Sequence, residues 1–425
     1  MKFELRSYQR DIADKGIKVL KSKGLVYLAM QPRTGKSLTA MEIAQQYGAK
    51  RVLFLTKLKA IPSIESDYHN FKPAFRLTVH NYESMHKLNW DFDLVICDEA
   101  HCFSSFAKPS ARAKMLKEKC WELPIIYLSA TPTAESYSQI FHQLWISKNS
   151  PFAKYKNFYA WAREFVIVKK RKINGWDIND YSQAKETEVK EAIRDCMLHL
   201  SQQEAGFTSF IEEEILRVPI DKRIYELMKI LKRDKVYKLK SGYTLIADTP
   251  VRLQSYFHQL SSGTVKVDET TRLTLDESKA YFIKSKFAGS KIAIFFKFIQ
   301  EGEVLRKVFP DHTSSPEEFN KNDHLTFICQ FSSGREGTNI STADYLIGYN
   351  IDFSATTYWQ FRERMQTKDR VKLSKLFWIF SEQGIESAVH KAVSKKKNYT
   401  LSYFKQEFGV TSWEFNPQKI NGRGE

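Results

Sequence analysis

The sequence predicts an α/β protein: two lobes built on parallel sheets, plus an aromatic and basic insertion that carries a β-hairpin. Three observations predict it. Short apolar runs alternate with helix-like segments over residues 1–147, the rhythm of strands covered by helices on both faces. The same rhythm returns over residues 216–425. Between them, residues 148–215 are rich in aromatic side chains and cations and hold Asn174-Gly175 between extended segments. Asn-Gly is the strongest short hairpin signal, because both turn residues take positive φ.

The elements follow in order. Tyr8 to Lys21 has helical spacing, with Tyr8, Ile12, Val19 and Leu20 apolar and Ser7 as the expected N-cap. Strands are expected at Leu25–Met30, Arg51–Thr56, Arg76–Val79, Asp93–Cys97 and Ile125–Ser129, with a helix over Ser37–Tyr47 that stops at Gly48. In the insertion, Phe165–Val168 runs into Lys169, Lys170, Arg171 and Lys172, then the Asn174-Gly175 turn and Trp176–Ile178. This reads as a hairpin near 165–178, engaging nucleic acid or decorating the surface. Later strands are expected at Ser290–Phe296, Leu325–Cys329, Tyr345–Tyr349 and Leu376–Phe380, with hairpin-like stretches around Ser241-Gly242 and residues 264–275. The segment after Asp369 is rich in lysine.

Sixty-six Lys and Arg against 49 Asp and Glu leave a net charge of +17. So basic a chain points to a polyanionic partner, most simply nucleic acid, although excess charge also serves solubility. Five cysteines are scattered with no CxxC pair, which argues against zinc and for a reducing compartment. The N-terminus is charged, and no apolar run approaches the roughly 20 residues that cross a bilayer. A cytoplasmic protein with no membrane partner is expected.

Two strand ends carry the chemistry. Gln31-Pro32-Arg33-Thr34-Gly35-Lys36-Ser37 follows the first strand, and Asp98-Glu99-Ala100-His101 follows the fourth. A Mg-nucleotide needs these groups. Lys36 suits the β- and γ-phosphates, and the backbone N–H groups of Thr34, Gly35, Lys36 and Ser37 suit phosphate oxygens at a helix N-terminus. Ser37 and Asp98 suit Mg2+, and Glu99 suits the attacking water. ATP and Mg2+ are therefore the expected cofactors. A side chain at Arg33 is acceptable only if the local backbone avoids strongly positive φ.

With these motifs in this order, the chain resembles superfamily 2 helicases and translocases, which have two RecA-like lobes, and within them the Swi/Snf-like branch of phage type. Leu5-Arg6-Ser7-Tyr8-Gln9 resembles the adenine-reading glutamine motif, with Arg6 and Gln9 facing the nucleotide. Gly35-Lys36-Ser37 resembles motif I, Asp98-Glu99-Ala100-His101 motif II, and Ser129-Ala130-Thr131 motif III. Residues 333–339 resemble motif V, and Gln360 through Arg370 resemble motif VI. The family usually has glycine where Arg33 stands.

The resemblance implies that His101 reports nucleotide state to Ser129 and Thr131. It implies a nucleotide role for Gly337 and Gln360, and ATP bridging the two lobes. Thr367 occupies the slot of the second motif VI arginine. Arg364 and Arg370 then share the arginine-finger task, or Arg364 serves alone. Nucleic-acid contacts are expected at Lys57, Asn81, Tyr82, Thr131, Asn339 and the hairpin cations Lys169, Lys170, Arg171 and Lys172, mostly to phosphates. Trp176 is expected to stack on an unpaired base.

The implied activity is that of a monomeric ATP-dependent helicase on forked or branched DNA, similar to phage branch-migration helicases, working in the host cytoplasm. Three alternatives stay open: a double-strand translocase without strand separation, an RNA helicase, and a nucleic-acid-binding module that does not hydrolyse ATP.

Overall fold

The structure, a computed structural model, describes residues 4–133, 136–173, 176–207, 211–332, 340–362, 364–365, 373–395 and 397–410. It divides into two units, Met1–Thr208 and Ser209–Glu425.

The strands of unit 1 are β1 (Leu25–Met30), β2 (Arg51–Thr56), β3 (Arg76–Asn81), β4 (Leu94–Cys97), β5 (Ile125–Leu128), β6 (Lys169–Ile173), β7 (Trp176–Asp180) and β8 (Met197–Leu200). Six of them form one parallel sheet in the order β3-β2-β4-β5-β1-β8. β1, β4 and β5 are buried at every position, which is why they read as unbroken apolar runs rather than alternating ones. Alternate residues of β1 still serve opposite faces. Leu25, Tyr27 and Ala29 join one core, and Val26, Leu28 and Met30 join the other.

Its helices are α1 (Ser7–Lys23), α2 (Lys36–Tyr47), α3 (Ile61–Phe71), α4 (Ala111–Cys120), α5 (Ile140–Leu144), α6 (Phe158–Phe165) and α7 (Glu186–Ile193). Ser7 is the first helical residue of α1, not its cap. Arg6 is the cap, and its N–H donates to Gln9 Oε1 at 2.9 Å. The helix ends at Gly24 with φ 69°, and α2 ends as expected at Gly48 with φ 84°.

The aromatic stretch after residue 147 has a structural use. Phe152, Phe158, Trp161 and Phe165 are buried and stack around Phe141 within the unit 1 core. A hairpin forms around the expected position: β6 and β7 pair antiparallel, Lys169 opposite Asp180 and Ile173 opposite Trp176, while Asn174 and Gly175 themselves lie outside the described residues. It starts later than Phe165, which closes α6. Val166 makes only an isolated bridge to Ala184.

Unit 2 contains β9 (Ile211–Val218), two antiparallel pairs, β10 (Val236–Lys238) with β11 (Thr244–Ile246) and β12 (Thr264–Lys266) with β13 (Arg272–Thr274), then β14 (Ile292–Phe296), β15 (His312–Thr313), β16 (Thr326–Gln330), β17 (Tyr345–Gly348) and β18 (Ser374–Ser381). The second six-stranded parallel sheet has the order β15-β16-β14-β17-β18-β9. Two parallel sheets of this kind are the RecA-like α/β architecture. β9 lies outside the sequence expectation, because Glu212, Glu213 and Glu214 disguise it. Glu213 is satisfied by distant partners: hydrogen bonds with Tyr358 Oη at 2.7 Å, Trp378 Nε1 at 2.9 Å and His390 Nε2 at 2.8 Å, and an ion pair with Arg362, whose Nε lies 3.1 Å away. Among the described residues no helix is long and apolar enough to cross a membrane.

Candidate nucleotide and nucleic-acid site

Parallel sheets place their sites beyond the carboxyl ends of the strands. In unit 1, β1 leads into the Gln31–Gly35 loop and β4 into the acid pair.

The loop is held from within. Thr34, fully buried, donates through Oγ1 to the Gln31 carbonyl at 2.7 Å, and Gln202 Nε2 donates to the Pro32 carbonyl at 3.0 Å. Gly35 has φ 80°, and a Cβ there would stand 2.0 Å from Gln9 Nε2. Glycine is therefore required twice, for backbone and for space. Arg33 has φ 64°. The condition set for a side chain at this position is not met: the arginine sits in the left-handed region, which costs about 1–2 kcal/mol for an L-residue.

α2 begins at Lys36 with Gly35 as N-cap. No side chain accepts from its first N–H groups, and its first turn carries no acid. An uncapped helix start with a lysine at its first position suits a polyphosphate. Lys36 and Ser37 are half-buried here. Gln9, 4% exposed, spends its amide on the protein: Oε1 on Arg6 N–H, and Nε2 on the Thr34 carbonyl at 3.4 Å. It thus lies against the phosphate loop, and Arg6 stands beside it at the start of α1.

Asp98 and Glu99 follow the last residue of β4. Asp98 accepts from Thr56 Oγ1 at 2.8 Å, and its carbonyl accepts from the Tyr82 hydroxyl. Glu99 has φ 50°, a bend that turns its side chain out of the strand path. His101 Nδ1 lies 3.0 Å from Glu99 Oε2 and 3.1 Å from Ser129 Oγ. Ser129 Oγ also accepts from Thr131 N–H at 3.2 Å. The expected path from His101 to Ser129 and Thr131 is therefore a chain of contacts.

Burial pushes the Glu99 carboxyl up. The contact with His101 and the positive charges of His101, Lys36 and Lys57 outweigh it and hold the pKa at about 2. Lys36 and Glu99, 63 positions apart in the sequence, act on one another electrostatically. Glu99 Oε2 is buried with no aligned hydrogen bond, which leaves it acceptor capacity for a water. Among the described residues no three His, Cys, Asp or Glu side chains gather into a metal cluster. A cation here would rely on hydroxyl and phosphate oxygens besides Asp98.

The other candidates distribute as follows. Lys57 and Thr131 are half-buried beyond β2 and β5, and Asn81, also half-buried, closes β3. Tyr82 is 2% exposed and packs edge-on against Phe103. It is a core residue that supports the Asp98 backbone, not a surface that a nucleic acid reaches. The aromatic ring is worth more buried than wet. Lys169 and Lys170 are exposed on β6, Arg171 and Lys172 continue that strand, and Trp176 opens β7.

In unit 2, Gln360 is half-buried on the helix Ala355–Arg362. Arg364, 4% exposed, holds its guanidinium 4.9 Å from the Phe295 ring centre. Gly337, Asn339 and Arg370 lie outside the described residues, as does Thr367. Thr56 was missed by sequence reasoning; its only signal is a hydroxyl closing an apolar strand. Gln143, fully buried, was missed as well and has no sequence signal.

No family model matches the chain, and no curated protein matches it. Among solved structures it is similar to the Sulfolobus solfataricus SWI2/SNF2 ATPase core in complex with dsDNA, with 14% identity over 97% of this chain and 94% of that one and a TM-score of 0.42. The Sulfolobus solfataricus SWI2/SNF2 ATPase core domain is similar at the same identity and TM-score, over 97% and 91% of the two chains. A likeness this remote decides nothing about activity.

Proposed function

We propose that this chain is an ATP-hydrolysing motor on DNA, with forked or branched DNA as its substrate in phage replication, recombination or repair. One observation carries the reading: an uncapped helix start bearing Lys36 and a buried, ionised Glu99 stand at the ends of strands in one sheet, close enough for the lysine to lower the acid's pKa. Ionisable groups perturbed by specific partners in a site mark function more often than structure.

ATP would supply the electrophilic γ-phosphoryl group, and Mg2+ would neutralise its charge. The residues have separate tasks. Lys36 and the first N–H groups of α2 bind phosphate oxygens. Ser37 and Asp98 hold the cation, with Thr56 fixing one Asp98 oxygen. Glu99, fully ionised at neutral pH, orients the water and accepts its proton as charge develops. Phosphate charge nearby raises the Glu99 pKa toward a useful base. For Arg364 to act as an arginine finger, its guanidinium has to leave the Phe295 ring. The net charge of +17 and the exposed Lys169 and Lys170 support a nucleic-acid partner.

Phosphate release measured with forked DNA, duplex DNA, RNA and no nucleic acid tests the reading. Lys36→Ala and Glu99→Gln should each lower turnover by about 100-fold or more, with DNA affinity within about twofold. Retained turnover in both would overturn the site. Strand displacement on the fork separates a helicase from a translocase. Stimulation by RNA alone would make the substrate RNA.

A further inference from the structure

We infer that Ser136 and Ser138 are positioning residues that set the basic hairpin from the loop that senses the nucleotide. The inference rests on the ATPase reading of the acid pair. The chain of contacts begins at Glu99 and passes through His101 and Ser129 to the Thr131 N–H, at 3.0, 3.1 and 3.2 Å. The next residue, Pro132, offers its carbonyl to Gln143 Nε2 at 2.6 Å.

Gln143 on α5 is fully buried and every polar atom of its side chain is used. Nε2 also donates to Ser104 Oγ at 2.9 Å, just past the acid pair, and Oε1 accepts from the Tyr27 hydroxyl at 2.6 Å. Tyr27 lies on β1, the strand that feeds the phosphate loop. One side chain thus clamps the loop after β5 to both halves of the nucleotide site.

The far end of the same loop holds the hairpin. Ser136 Oγ donates to the Ser182 carbonyl and Ser138 Oγ to the Tyr181 carbonyl, each at 2.6 Å. Ser136 is 7% exposed and Ser138 fully buried. Tyr181 and Ser182 immediately follow β7. The hairpin's own sheet has two strands only. Beyond that pairing its base is tied by Ile167 N–H to the Gln183 carbonyl at 2.9 Å, by Lys185 N–H to the Phe165 carbonyl at 2.8 Å and by the Tyr181 ring edge-on to Phe158 and Tyr159. Ser136 Oγ also accepts from the Ser138 N–H at 3.1 Å, so it joins the start of the short helical turn at Tyr137 to the strand end, and removing both hydroxyls leaves two successive carbonyls without these donors.

A ligand shifts a conformation only through contacts that differ between states. A γ-phosphate that competes for Glu99 or His101 changes the first contact of this chain, and the serines deliver the change to the end of β7, the strand paired with the cation-bearing β6.

Amide hydrogen exchange on the full chain, with and without AMP-PNP and Mg2+, tests this. In the wild type, nucleotide should protect residues 33–37 and change exchange in β6 and β7 by about threefold or more. The Ser136→Ala/Ser138→Ala variant should keep the protection at 33–37, lose the hairpin response, and hold DNA-free phosphate release within about twofold. Ser136→Thr/Ser138→Thr, which keeps both donors, should restore the response. A hairpin indifferent to nucleotide in the wild type, with 33–37 protected, would overturn the inference even if the alanine pair failed to fold. So would a hairpin response that survives in the alanine pair. Absence of protection at 33–37 in the wild type would instead overturn the ATPase reading.

Discussion

The turn after β1 and the turn after β14 both lead a parallel strand into a helix, yet they end in opposite chemistry. After β1, the start of α2 has no capping side chain and no acid in its first turn. After β14, Glu301 closes the helix start itself. Its Oε2 accepts from the N–H groups of Lys297 at 2.8 Å and Phe298 at 2.9 Å, and its Oε1 accepts from Asn350 Nδ2 at 2.6 Å. Asn350 Oδ1 in turn lies 3.0 Å from His258 Nε2. A helix start supplied with its own carboxylate has no vacancy for a phosphate. The same α/β unit becomes a structural joint where the chain supplies the anion and keeps an uncapped helix start where it does not.

The contrast extends to charge. Unit 2 buries a complete pair, Lys279 Nζ to Glu386 Oε1 at 2.7 Å, with side-chain exposures of 1% and 0%. Ser381 completes it through Oγ to Glu386 Oε2 at 3.0 Å. Unit 1 leaves Glu99 Oε2 without an aligned partner. Satisfied polar networks make rigid joints, and incompletely satisfied ones mark places where something else binds.

The largest effect that would sharpen the contrast is Glu386→Leu. An isolated lysine at Lys279 would remain buried, and unit 2 should lose about 3–5 kcal/mol in urea unfolding. The double change Lys279→Met with Glu386→Leu should recover most of it. A loss near zero for the single variant would break the picture of a sealed network.

Acid is expected to act next, through His258 in unit 2. Burial holds the His258 pKa down at about 4, aided by the charge of Lys297. A depressed histidine is charged in the unfolded chain before it is charged in the folded one. Its stabilising effect is full above about pH 6.5 and is lost as pH falls through 4, about 3 kcal/mol over the whole window. Glu99 is depressed in the carboxylate sense, so its contribution is full above about 4.5 and is lost as pH falls toward 2. Acidification from pH 7 to 4.5 should therefore weaken unit 2, and His258→Asn should flatten that part of the profile; His142 and His199, pushed down by burial, act in the same sense in unit 1. A unit 2 profile unchanged by His258→Asn would contradict the assignment.

The smallest effects concern the phosphate loop. Gly35→Ala combines φ 80° with a Cβ placed against Gln9, and should cost about 1–3 kcal/mol in thermal or urea unfolding. Arg33→Gly relieves the φ of 64° but adds glycine's chain entropy. The two terms are each about 1 kcal/mol and nearly cancel. A large gain from Arg33→Gly would mean that the loop is more strained than its backbone indicates.

Much of this molecule was legible in its residues. β1 coincides with its apolar run and β2 extends the run Val52–Leu55 by one residue at each end, because a strand covered on both faces is apolar over most of its buried length. Asn174-Gly175 announced its hairpin because few other pairs accept two positive φ values. Lys36 and Asp98-Glu99 announced a site because strand-end cations and acids have few other uses together. Tyr82 misled, since nothing local distinguishes an aromatic facing solvent from one beneath an acid pair. β9 was hidden because the partners of Glu213, namely Tyr358, Arg362, Trp378 and His390, come from more than 140 positions away.

The sequence by itself determined most of the strands, the hairpin and the candidate residues at the ends of β1 and β4, since each depends on neighbours within a turn or a strand. Only the tertiary structure decided which of two similar strand ends stays open and which is sealed. That choice depends on Glu301, Asn350 and His258 meeting across unit 2 and on no such carboxylate meeting α2 in unit 1. Satisfaction of a polar group is a property of what surrounds it in space, and chain order does not encode it locally.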